Sequence, residues 1–283
     1  MQHVMAKLEN KVADFQRTVW QHYAQHGRHD LPWRLPAATG VYDPYSIVVS
    51  ELMLQQTQVS RVIPKYEQFL TRFPDVQSLA SAPLGDVLVA WQGLGYNRRA
   101  KFLWQTAQRV VEEFGGTFPE TMERLVSLPG IGVNTAGAVM AYAYNKPVVF
   151  VETNIRTVYI HHFFDAQVAV NDKSIYAKVA ETLPDSQSEN SVREWYWALM
   201  DYGSHLKQTV GNVSKSSSHY VKQSPFVGSR RAIRGAVIRK LAAQPKTFAM
   251  LERSIADVRL EDVLTDLLNE GMVSKTGQTY HLT

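Results

Sequence analysis

The sequence predicts a mainly α-helical protein with a small α/β segment at its C-terminal end, and three observations carry that reading. From Tyr45 to about residue 206, apolar residues recur every three or four positions and are punctuated by proline and glycine, the pattern of short packed helices. Two short runs of β-forming residues, MVSKT and QTYHLT, meet across Gly277 near the end of the chain. Midway, a glycine turn, LPGIG at 128–132, stands directly before a run that is apolar on nearly every face.

Taken in order, residues 7–26 form one amphipathic helix through Val12, Phe15, Val19, Trp20 and Tyr23, ending near Gly27. The stretch DLPWRLPAATGVYDPY, with three prolines and a glycine, is expected to be an ordered loop without a regular element. Helices are expected at 46–56, 59–73, 76–82, 84–92, 98–114 and 121–127, each bounded by a breaker such as Pro74, Pro83, Gly93 or Gly115. A buried helix follows at 133–144, then helices at 154–164, 172–183 and 191–206. The Ser-, Lys- and Gly-rich stretch 208–224 reads as a linker or irregular loop. Beyond it, Ser229 caps a basic helix to Ala243, a second helix begins after Thr247, and a third runs from Leu260 to Asn269 before the terminal hairpin. That is the outline of a winged helix, a shape that serves DNA contact and structural support equally well.

Composition narrows the function. With 283 residues and 45% hydrophobic content the chain can bury a large core. No window is apolar enough to span a membrane, and the first residues lack a signal-peptide core, so a cytoplasmic protein is expected, nucleoid-associated if bacterial. The count of zero cysteines excludes disulfides, thiolate zinc sites and cysteine-held iron–sulfur clusters. The formal charge of +4 is modest, but between Asp201 and Glu252 there are nine Lys or Arg and no acid. That segregation reads either as a basic face or as a solvated loop beside an exposed helix.

The segment LPGIGVNTAGAV, 128–139, has the chemistry of an anion clasp. Pro129 bends the chain, Gly130 and Gly132 permit positive backbone dihedrals, and the next helix opens with unpaired amides pointing outward. Such donors, aided by the helix's positive end, hold a DNA phosphate without reading a base. The candidate contacts are Leu128, Gly130, Ile131, Gly132, Val133 and Thr135.

Together with LPWR at 31–34, PYSIVVSELMLQQTQVSRVIPKYEQF at 44–69, WQGLGYNRRAKFL at 91–103 and FPETMERLVSLPGIGVNTAGAV at 118–139, this hairpin gives a clear likeness. Over about residues 10–240 the sequence resembles the helix-hairpin-helix (HhH-GPD) DNA glycosylases, above all the MutY-type A/G-mismatch adenine glycosylases and less closely endonuclease III. The resemblance implies a two-lobed helix-hairpin-helix DNA glycosylase fold with a cleft between the lobes. One lobe would take residues 1–30 and 133–225, the other 31–132, with 226–283 as a winged-helix-like domain.

What the resemblance implies for the site follows residue by residue. Glu51 would be the general acid, because expelling a base as an anion is hard and a carboxylic acid of raised pKa can protonate it. Glu152 stands where the family has an aspartate, with Asn154 retained two residues on. It would stabilise the sugar cation, hold water as a base or mark altered chemistry, and a helix cap is its plain structural alternative. Asn134 occupies the position of the lysine that cleaves the strand in endonuclease III, which implies hydrolysis alone and an intact abasic site. Asn134 would bond water, a carboxylate or the flipped base, or be polar surface. Gln55, Gln56, Thr57, Leu94 and Tyr96 would fill the gap left by the flipped base, with Leu94 as wedge and Tyr96 as stacking face, and core packing at the glycine turn is the alternative for those last two. Arg98, with Arg99 and Lys101, suits phosphates or an exposed helical face.

Most relatives carry an iron–sulfur cluster and a C-terminal domain that reads 8-oxoguanine, and this sequence is expected to have neither. His205 and His219 do not make a metal site, so no metal and no cofactor are expected. The expected partner is double-stranded DNA with a mispaired or damaged base, bound by a monomer without a membrane. Monofunctional excision of adenine is the leading expectation, thymine or uracil excision the alternative, and non-catalytic damage binding the second.

Overall fold

The computed structural model describes residues 2–164, 170–184, 191–211 and 225–283, so most of the expected loop at 208–224, including His219, lies outside the described residues. The helices are α1 (Gln2–His26), α2 (Pro44–Leu54), α3 (Val59–Arg72), α4 (Val76–Ser81), α5 (Leu84–Ala90), α6 (Arg98–Phe114), α7 (Met122–Ser127), α8 (Val133–Tyr142), α9 (Thr153–Phe163), α10 (Asp172–Thr182) and α11 (Val192–Thr209). The C-terminal segment adds α12 (Arg230–Ala243), β1 (Lys246–Thr247), α13 (Phe248–Ile255), α14 (Leu260–Asn269), β2 (Val273–Thr276) and β3 (Thr279–Leu282). The protein is mainly α-helical with a small α/β segment, as the apolar spacing predicts. Among the described residues no helix is long and apolar enough to cross a membrane.

Local chemistry sets the helix ends. Asp75 and Ser78 form a reciprocal capping box at α4, while Asn171, Ser191, Ser229 and Thr247 cap α10, α11, α12 and α13 through their side chains. Gly115, at φ 61°, closes α6 in the left-handed conformation.

Two features depart from expectation. The loop around LPWR contains one tight helical turn, Pro32–Arg34, because Pro32 pre-sets the first helical φ and Arg34 is drawn inside by a buried carboxylate. The terminal sheet has three strands in the order β1-β3-β2, all antiparallel, with Lys246 opposite Tyr280 and Val273 opposite Leu282. A two-residue strand such as β1 is too short to show a period in sequence.

The chain forms two compact units. The first draws on Met1–Ile47, Glu120–Val126 and Ile131–Lys222. Its core is aromatic: Phe15 of α1 meets Tyr159 of α9 at 5.3 Å and Trp195 of α11 at 5.9 Å, ring centre to ring centre. The second draws on Val48–Pro119, Ser127–Gly130 and Gln223–Thr283. There α4 and α5 pack on α6, and Phe69 meets the fully buried Trp91 edge to face. The winged-helix segment belongs to this unit: α12 packs on α5, and the Gly85 N–H donates to the Thr283 carbonyl.

Candidate active site and nucleic-acid interface

In the second unit the site begins with α2. Its neighbours Val48, Val49, Leu52 and Met53 are fully buried, and Glu51 lies half-buried among them. Gln55, Gln56 and Thr57 follow directly, with Gln56 exposed in a left-handed turn at φ 53°. One guanidinium fixes this end. Arg99 Nη1 donates to the carbonyls of Leu52, Met53 and Gln55 at 2.5, 2.9 and 2.7 Å. Its Nη2 donates to Thr57 Oγ1 and to the Leu94 and Gly95 carbonyls at 3.1–3.2 Å. A cation at the negative end of α2 thus joins the helix that carries Glu51 to the GLGY turn. Burial lowers the Arg99 pKa to about 10, opposed by Tyr96, and the group stays charged at neutral pH.

Several residues expected to face DNA are engaged elsewhere. Arg99 is buried in the clamp just described and does not reach a phosphate. Arg98 is exposed but ion-paired to Glu270, through Nε at 2.9 Å and Nη2 at 2.5 Å, and Lys101 donates to the Glu270 carbonyl. Leu94, expected as an apolar wedge or as core packing, is buried at a turn that Trp91 Nε1 holds by donating to the Gly95 carbonyl at 3.1 Å. Tyr96 is half-buried, with a positive φ of 48°, and the Arg231 guanidinium carbon lies 5.0 Å from its ring centre.

At the hairpin, Leu128, Ile131 and Thr135 are buried, so their side chains support the turn and do not reach outward. Thr106 Oγ1 donates to the Pro129 carbonyl at 2.7 Å and Arg109 Nη1 to that of Ser127 at 2.6 Å. Gly130 takes the positive φ, 74°, and a Cβ there would stand 2.6 Å from Phe102 Cβ. Gly132 does not: at φ −83° and ψ 174° it is the extended N-cap of α8, and it makes no side-chain cap hydrogen bond to that helix. Gly132 and Val133 are exposed. What the hairpin presents is backbone N–H, the donor type an anion needs.

In the first unit, α8 aligns the segment that carries the second acid. Asn134 Oδ1 accepts from the Tyr176 hydroxyl at 3.1 Å and from the Val151 N–H at 3.4 Å, so its oxygen anchors the backbone next to Glu152. Gly137 lets α8 lie on Phe150, where a Cβ would approach to 2.6 Å. Glu152 occupies the N-cap of α9, yet its side chain makes no cap hydrogen bond. The capping alternative therefore fails on geometry. Burial raises the Glu152 pKa, and the Lys207 charge pulls it back.

Sequence reasoning missed Lys207. Its Nζ donates to Asn154 Oδ1 at 2.6 Å, and burial lowers its pKa while Glu152 opposes that shift. Gly203 makes the approach possible: a Cβ there would stand 2.3 Å from the Asn154 carbonyl oxygen, so α11 crosses the start of α9 at backbone contact. One turn beyond Gly203, α11 delivers Lys207. On the same helix Asp201 is buried and accepts from Arg34 Nη1 and Nη2 at 2.7 and 2.9 Å and from the Arg28 N–H at 2.8 Å. Burial alone would raise the Asp201 carboxyl, but Arg34 and Arg28 hold it below the ordinary carboxylate range. This ion cluster joins the LPWR segment to the run LMDYG at 199–203 of α11. Among the described residues no group of three His, Cys, Asp or Glu could hold a metal, and His205 stacks near His22 with ring centres 4.8 Å apart.

Comparison with known proteins fits this arrangement. Residues 49–184, which include Glu51, the hairpin and Glu152, match the HhH-GPD superfamily base excision DNA repair protein family. The adenine DNA glycosylase of Mycolicibacterium smegmatis is 34% identical, covering 89% of this chain and 90% of its own length. That of Buchnera aphidicola subsp. Baizongia pistaciae is 35% identical over 67% of this chain. The chain spans about half the length of that relative, 52%. Among solved structures, a thermostable thymine-DNA glycosylase superposes with a TM-score of 0.60 at 24% identity, covering 69% of this chain and 87% of the other. An endonuclease III–DNA covalent intermediate does so with 0.51 at 16% identity, over 77% and 90%. These two likenesses establish the fold, and the near-full-length match to the mycobacterial relative carries it to kinship. The chain belongs to the HhH-GPD superfamily of base excision DNA repair proteins.

Proposed function

We propose that the protein is a monofunctional DNA glycosylase that flips a mispaired adenine from duplex DNA and hydrolyses its N-glycosidic bond, leaving an abasic site in an uncut strand. It acts as a monomer where the genome lies, the cytoplasm in a bacterium. The observation that carries the reading is Glu152: a half-buried carboxylate at a helix start that spends no hydrogen bond on capping that helix. A negative charge held this way suits a sugar cation in the transition state. The choice of adenine is supported by the relatives, which bear the name adenine DNA glycosylase.

The hairpin amides of Gly132 and α8 hold a phosphate while the nucleotide leaves the stack. Glu51 protonates the departing base, so the C1′–N bond breaks with its electron pair on a neutral leaving group. Water then adds to C1′ and passes its proton to the Glu152 carboxylate, which leaves the neutral sugar hydroxyl of an abasic site. Asn134 cannot form a Schiff base, and the strand survives. Single-turnover assays on an A:G duplex, developed with alkali, test this. Wild type should produce alkali-labile strands, and Glu51→Gln and Glu152→Gln should each slow the reaction at least 100-fold while retaining DNA binding. Unchanged rates in both variants would refute the assignment.

A further inference from the structure

Within the second unit, a cavity of about 530 Å3 lies between the GLGY turn and α12. Its lining includes Arg61, Tyr96, Phe226, Arg231, Gly235 and Arg239, and no carboxylate. The spacing on α12 is regular: 231, 235 and 239 are four residues apart and share one helix face, with arginine at each end and glycine in the middle. Nothing lies within 4 Å of a Cβ built on Gly235, so this glycine leaves an open floor.

The other arginines of α12 are engaged structurally. Arg230 pairs with Asp266 at 2.7 Å, and Arg234 pairs with Glu270. Arg61 and Arg239, by contrast, make no side-chain hydrogen bond or ion pair among the described residues. Arg231 donates to the Tyr96 hydroxyl, and its guanidinium lies 5.0 Å from that ring centre. Phe226, 59% exposed, offers a second aromatic face at the rim.

We infer that this groove binds one nucleotide of a DNA strand whose base is unpaired. Its base lies against the Tyr96, Arg231 and Phe226 faces, and its flanking phosphates meet Arg61 and Arg239. Aromatic rings and guanidinium planes stack with bases of any identity, but only with a base that has left its own stack. From Arg231 to Arg239 the helix rises about 12 Å, enough to follow a strand across several phosphates. The volume falls within the range of sites that enclose a small ligand, roughly 300–1,000 Å3. The winged-helix segment thereby becomes part of the DNA interface, a role beyond support. The inference rests on the reading of the chain as a DNA-acting enzyme.

The test uses the full chain and two duplexes, one fully paired and one with a single bulged thymidine, compared by fluorescence anisotropy. Gly235→Leu should fill the groove without a clash and leave the melting temperature unchanged or higher. It should cut the preference for the bulged duplex about tenfold while leaving affinity for the paired duplex within twofold. Arg239→Ala should weaken both and reduce the salt slope by about one. Wild-type affinities for both duplexes in Gly235→Leu would overturn the inference. An equal loss on both duplexes would overturn the base-holding role. Adenine release by wild type, measured in parallel on an A:G duplex, separates the two claims: its absence refutes the glycosylase reading whatever the groove does.

Discussion

Glu152 and Lys207 set each other's charge. Burial pushes the Glu152 carboxyl up and the neighbouring ammonium opposes that rise without cancelling it, while burial lowers the Lys207 ammonium and Glu152 opposes that shift in turn. If the ionised form is the working one, excision falls as pH drops through the Glu152 pKa. Lys207→Met removes the opposing charge, so the acidic limb of the single-turnover rate profile should move to higher pH. Lys207→Arg should leave that limb near its original position, and Glu152→Gln should abolish it. Arg99 acts through geometry. It donates six hydrogen bonds around the end of α2, and Arg99→Lys cannot reproduce a planar fork. A loss of about 2–3 kcal/mol in denaturant unfolding is expected, on the order of losing charge-assisted hydrogen bonds to buried carbonyls. Arg99 was legible in principle. It stands on the apolar stripe of α6 with Leu103, Thr106 and Val110, a place where a solvated arginine does not belong. The dipeptide Arg98–Arg99 hides this, because only the first faces solvent.

At the scale of elements, capping residues and breakers placed the helix ends within one to three residues at nearly every junction, since Ser, Thr, Asp and Asn act locally. What depended on distant partners was not visible. The turn at Pro32–Arg34 exists because Asp201, far along the chain, waits for Arg34. Its stability has a definite pH dependence. The Asp201 pKa is lower in the folded than in the unfolded chain, so its contribution is present above the unfolded carboxylate value of about 3.9 and is lost as pH falls through the folded one. Asp201→Asn should cost about 3–5 kcal/mol at pH 7, because the buried Arg34 and the half-buried Arg28 lose their charge partner. Urea unfolding of the variant between pH 7 and 3 should show a flatter acid dependence than wild type. The hairpin shows a finer failure. Both glycines were expected at positive φ, but only Gly130 needs it, and Gly132 serves as an exposed N-cap in extended conformation.

Over the whole molecule, the helices and the terminal α/β segment follow from periodicity, whereas the company each segment keeps does not. Residues 31–47 group with the first unit, and the winged-helix segment groups with the second through Gly85, α5 and the Glu270 ion pairs. Such groupings depend on surfaces that only folding brings together. Glu51 belongs to one unit, and Glu152, Asn154 and Lys207 belong to the other. The most direct measurement incubates the full chain in excess with an A:G duplex and analyses both products, the free base by mass spectrometry and the strand on a gel without alkali. Free adenine in a one-to-one ratio with an intact, alkali-labile strand is the predicted result. No released base, or a strand already broken before alkali, would contradict hydrolytic adenine excision.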